Sequence, residues 1–236
     1  MENSRQSDLR DFYGLLANLT HEIGGAQTLA NCSMRQSCPK RGVYFFMENG
    51  ETRSDTGSGP RIVRVGTHGL RRNSRSTLRK RLSQHRGRVR TPGGNHRASI
   101  FRSIVGASIS ARDNINCASW GSRNKRARAS RNLEVGLEAK VSDTIGAMPF
   151  VCLSIPDEAG PDSDRGYIER NAIALLSNYE KQVLDSPSEQ WLGRYCNRDR
   201  VRGSGLWNSN HVNESYDPAF LSRLERYLRQ MERDQD

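Results

Sequence analysis

Apolar residues recur every three or four positions near the start of the chain, at Leu9, Phe12, Tyr13, Leu16, Leu19 and Ile23, and Gly24-Gly25 ends the pattern. That spacing predicts an amphipathic helix. Residues 26–41 read as a connector carrying Cys32 and Cys38. The pattern then changes: Gly42-Val43-Tyr44-Phe45-Phe46-Met47 is apolar almost without a break, which predicts a buried strand. Residues 48–60 are polar with three glycines, a hairpin loop, and Arg61-Ile62-Val63-Arg64-Val65-Gly66 alternates as the returning strand. A third strand is expected at Phe150-Val151-Cys152-Leu153-Ser154-Ile155, closed by Pro156.

Helical spacing returns over about 76–85, where Leu78 and Leu82 share a face, and again at 100–109, 133–145 and 165–179. The clearest helix is the last: Phe220, Leu221, Leu224, Tyr227, Leu228 and Met231. Residues 111–130 are basic, rich in Ser and Asn and weakly periodic, which predicts a DNA-facing loop. An irregular segment with Trp191, Trp207 and Asn208 precedes the last helix. Three strands with helices between and after them predict an α/β (α+β layered) fold, a small three-stranded, mainly antiparallel sheet flanked by helices. The expected organisation is an N-terminal helical extension (1–40), a core with basic insertions (41–180) and a C-terminal extension (181–236).

Composition changes the picture in two ways. Five cysteines at scattered positions, without CxxC spacing, suit neither a disulfide framework nor zinc. With no apolar run of spanning length, the expectation is a cytoplasmic protein with reduced thiols and no membrane. The net charge of +11 is also local. Residues 56–131 hold 19 Lys and Arg, 17 of them Arg, against the single acid Asp113, whereas the rest of the chain holds 18 basic and 25 acidic residues. A solvated face mixes both signs. One-signed charge of this extent points to a polyanion, and arginine forks onto phosphate. Arg71, Arg72, Arg75, Arg88, Arg90, Lys125, Arg126 and Arg128 are the expected contacts to double-stranded DNA, with His68 and His96 as further phosphate contacts.

Four pieces then stand in order: Gly42-Val43-Tyr44, Val65-Gly66-Thr67, Arg81 with His85 four residues on, and Glu169 within Tyr167-Ile168-Glu169-Arg170-Asn171. Over about residues 41–180 this series resembles the GIY-YIG nuclease superfamily, and its Arg-x-x-x-His pair resembles the type II restriction endonuclease branch. The resemblance implies a tyrosine general base, Tyr44, and a metal-binding glutamate, Glu169, holding one magnesium ion per active site.

The residue chemistry agrees. Arg81 and His85 are neighbours on a helix surface. A fixed guanidinium offsets charge building on a phosphoryl oxygen, and a neutral imidazole receives a proton from nucleophilic water, directly or through Tyr44. Glu169 lies at helical spacing from Ile173 and Leu176, on the border of an apolar face where an unpaired carboxylate is costly. Two departures stand out. Arg64 occupies the place of the family's second tyrosine, where a cation cannot act as base but can hold a phosphate. Asn178, the candidate for the family's supporting asparagine, is nine residues past Glu169 and so across the helix from it.

The expected function is a magnesium-dependent endodeoxyribonuclease, restriction-like, working as a homodimer because a palindrome needs two active sites. The alternatives are a structure-specific repair or recombination nuclease and a catalytically inactive nucleic-acid-binding protein.

Overall fold

The computed structural model describes residues 4–35, 38–88, 91, 93–122 and 128–233, with side chains omitted at 128–133. Seven α-helices and four strands are found among them: α1 Ser4–Glu22, β1 Gln27–Thr28, β2 Gly42–Thr52, β3 Pro60–Gly66, α2 Leu78–Arg86, α3 Ile100–Arg112, α4 Arg128–Gly146, β4 Pro149–Ser154, α5 Asp164–Leu176, α6 Asp199–Ser204 and α7 Ala219–Arg233. The sheet has four strands, not three, in the order β1-β4-β2-β3, with every pairing antiparallel. The fourth strand is only Gln27 and Thr28, inside the stretch expected to be a connector; two residues carry no periodicity to read.

Strand β2 is central and buried on both sides, which is why its sequence is a continuous apolar run rather than an alternation. Val43, Phe45 and Met47 join one core with α1, α5 and α7. Tyr44 and Phe46 join the other, with α2, α3, α4 and the two tryptophans Trp191 and Trp207. The result is a three-layer α/β arrangement. The hairpin also runs further than its apolar letters: β2 continues to Thr52, with register shifts after Phe46 and Met47.

Helix α2 begins where Thr77 accepts the Lys80 N–H as a side-chain cap, and ends at Gly87, whose left-handed backbone (φ 76°) only glycine adopts without strain. The basic loop expected at 111–130 is shorter than its sequence suggests. Helix α3 runs on to Arg112, where Asp113 takes ion pairs from Arg112 and Lys140, and α4 already begins at Arg128.

The outer edge of β3 is covered by the segment before α7. The Trp207 N–H donates to the Val63 carbonyl (2.7 Å), and the Asn208 side-chain amide pairs with both backbone groups of Val65 (3.1 and 2.9 Å). Glu48 accepts both indole N–H groups, from Trp191 (3.2 Å) and Trp207 (2.9 Å), which ties this segment to β2. Among the described residues no helix is long and apolar enough to cross a membrane.

Candidate active site

The antiparallel register sets Tyr44 opposite Gly66, so the two signature tripeptides lie side by side. The tyrosine ring lies across Gly66: a Cβ there would stand 2.1 Å from the Tyr44 hydroxyl. Glycine is therefore required at 66 for the tyrosine to reach its place. Thr67 fastens the same corner. Its hydroxyl donates to the Gly42 carbonyl (2.7 Å) and its N–H to Glu169 Oε1 (3.1 Å), joining both tripeptides to α5.

The Tyr44 hydroxyl is 2.9 Å from His85 Nε2, and His85 Nδ1 is 2.8 Å from Ser99 Oγ at the start of α3. The imidazole stands edge-on between the rings of Tyr44 and Phe101. Tyr44 and His85 are both fully buried. Burial, reinforced by Arg64, Arg81 and Arg102, holds His85 well below the usual histidine range, so it is neutral at neutral pH. A neutral ring has one acceptor nitrogen, and a Tyr44 O–H donating to Nε2 with Nδ1–H on Ser99 satisfies all three groups. Arg81 and His85 thus differ in depth, with Arg81 half-buried and His85 lying behind Tyr44.

Arg64 is buried, donates Nη1 to the Trp207 carbonyl and lies over the Phe101 ring at 4.5 Å. Its charge faces both His85 and Glu169. Glu169 is half-buried, and burial raises its proton affinity against the pull of Arg64, the Thr67 N–H, His211 and Arg81. Among the described residues no ion pair engages Glu169, and no group of three or more His, Cys, Asp or Glu is placed to hold a metal. A hard carboxylate oxygen suits a hard divalent cation whose other ligands are water and phosphate. The donor set among the described residues therefore fits one cation.

Tyr44, Arg64, Arg81, His85 and Glu169 are brought together. Asn178 is not: its amide donates to the Leu184 carbonyl and its oxygen accepts from Leu184 N–H and Arg5, closing the turn after α5. His96 is also used internally, stacked on Trp120 at 3.9 Å with Nδ1 2.9 Å from Glu138. Glu138 in turn holds Arg102, which reaches the His85 carbonyl (2.8 Å) and so supports the end of α2.

Sequence reasoning missed the contribution of Trp207, Asn208 and His211. An irregular segment containing tryptophan beside asparagine and histidine was the available signal, and only tertiary packing assigns its partners.

Of the expected DNA contacts, Arg71, Arg72, Arg75 and Arg88 are exposed. Arg90, Lys125 and Arg126 lie outside the described residues, as does the side chain of Arg128. Several other arginines of the basic tract are spent inside the protein. Arg61 pairs with Glu51, Arg97 with Glu134 and Arg102 with Glu138, while Arg79 and Arg86 hold the carbonyls of Cys38 and Cys32.

Compared with known families, residues 3–234 match the model of the GIY-YIG domain. No curated protein and no solved structure matches the chain.

Proposed function

The chain belongs to the GIY-YIG family, a phosphodiester hydrolase of endonuclease type acting on DNA, and on that premise we propose that it is a magnesium-dependent restriction-like enzyme working as a homodimer. The observation that carries the site assignment is the 2.9 Å contact between Tyr44 and His85 Nε2, beside two arginines and a single carboxylate.

Tyr44 passes a proton to neutral His85 as it takes one from attacking water, and Ser99 fixes the ring that receives it. Arg64 and Arg81 offset the negative charge that grows on the phosphoryl oxygens; Arg64 is pre-set by the Trp207 carbonyl and so reorganises little. Glu169 would hold a divalent cation, which when bound polarises the phosphate and shields the leaving oxygen. The exposed Arg71, Arg72, Arg75 and Arg88 hold the DNA backbone.

Incubation of supercoiled plasmid with magnesium tests this reading. Discrete fragments support it, nicking only at branched or gapped structures replaces it with a repair nuclease, and binding without cleavage replaces it with a silent DNA-binding protein. Sedimentation of the complex with a cleaved site reads the dimer.

A further inference from the structure

We propose that His68 is a DNA-phosphate contact of this nuclease, donating a ring N–H to a backbone phosphate oxygen held beside Arg81. The proposal rests on the nuclease reading and adds a residue outside the family's signature. His68 is 5% exposed, yet neither ring nitrogen meets a hydrogen-bond partner among the described residues. Leaving a polar group in that condition costs about 1–3 kcal/mol, so it calls for a partner from outside the fold.

The chain around it is fixed. The carbonyls of His68 and Gly69 both accept from Arg165 (3.0 Å each), and the preceding Thr67 is tied to Gly42 and Glu169. The backbone that carries the imidazole is therefore held in place, while the ring nitrogens are unused among the described residues.

Its surroundings say which ligand fits. Arg165, Arg41 and Arg81 face it. Arg165 is consumed by Asp157 and backbone carbonyls and Arg41 by the Asp157 carbonyl, whereas the Arg81 side chain meets only Gln84, at 3.4 Å, among the described residues. Three guanidinium groups repel a metal ion and favour an anion. Arg81 also faces His85 and Glu169, which sets the anion next to the reacting centre. Burial and these three arginines hold His68 down to about 4, so it is a neutral donor at neutral pH.

Neutrality makes the contact separable from the arginines. Binding of the full chain to a duplex oligonucleotide, without divalent metal, is measured by anisotropy across a salt series for the parent, His68→Leu and His68→Gln. Removing the donor with His68→Leu weakens binding about tenfold. The dependence on salt keeps its slope, since no charge is lost, and melting is no lower than in the parent. His68→Gln, which keeps an N–H, stays within about threefold of the parent. Should His68→Leu fail to fold, His68→Ala is read in the same way.

Unchanged affinity in a folded variant overturns the proposal, as does a slope shallower by about one unit, which would mean a charged contact. Lower melting with unchanged binding overturns it too, because that is the mark of a structural role. A parent that does not bind DNA removes the nuclease reading itself.

Discussion

Strand β2 serves two cores with one run of residues, and the two are built differently. Toward α1, α5 and α7 it presents Val43, Phe45 and Met47, and Phe45 meets Phe12 at 5.8 Å, which in turn meets Phe220 at 6.2 Å. Toward α2, α3 and α4 it presents Tyr44 and Phe46, and here the packing surrounds a polar chain: Tyr44 to His85 to Ser99, then Arg102 to Glu138 to His96. Apolar packing is non-directional and accepts volume-conserving change. A buried polar network is stable only when every member has its partner, so its geometry is specified atom by atom. The second core therefore doubles as the support of the site.

The sharpest break between the two concerns Glu169, which sits at the rim where α5 meets β3. Glu169→Gln keeps the shape and the Thr67 hydrogen bond but loses the charge; plasmid cleavage should fall below detection while anisotropy shows DNA binding retained. Next come Tyr44→Phe and His85→Gln, each expected to slow cleavage about 10²–10⁴-fold. If the pair works as one relay, single-turnover rates of the double variant should match the worse single variant rather than the product of both losses. On the opposite face Phe45→Leu, adjacent in sequence, should leave kcat within a few-fold.

Stability separates the cores in another way. Phe45→Ala should cost about 3–5 kcal/mol by urea unfolding, from lost burial and a residual cavity. Arg102→Met should cost about 3–5 kcal/mol, because the buried Glu138 charge then keeps only its His96 contacts. Activity should fall with stability, because the Arg102 contact with the His85 carbonyl is lost.

The smallest effect is in pH. His68 titrates at about 4 in the folded protein, against about 6.5 in an unfolded chain. Below 6.5 the unfolded chain takes a proton that the folded one refuses. Stability therefore falls as the pH drops from about 6.5 to about 4. Melting scans of His68→Leu should lose that share of the acid sensitivity.

Much of this was legible in the sequence because it is local or periodic. The unbroken run 42–47 signals a strand covered on both sides, and Arg81 with His85 is legible as one turn of helix. The pairing of Tyr44 with Gly66 follows once two signature strands form a hairpin. What could not be read depends on chain segments far apart. Asn208 reaches Val65 across 143 residues, whereas Asn178, nearer to Glu169 in sequence, is spent on a turn. The arginine tract reads as a DNA surface, yet Arg61, Arg97 and Arg102 find carboxylates at Glu51, Glu134 and Glu138, all three just outside its ends.

The strap across the β3 edge also bears on the order in which the living cell meets this protein. A ribosome delivers Tyr44, His85 and Glu169 well before residue 208 emerges. Until then Arg64 has no Trp207 carbonyl to hold it, Val65 has no Asn208 amide beside it, and the open strand edge is unpaired. A nascent chain thus carries its cutting residues without the brace that sets them. Only a chain made to near its last helix has Arg64 and the β3 edge braced.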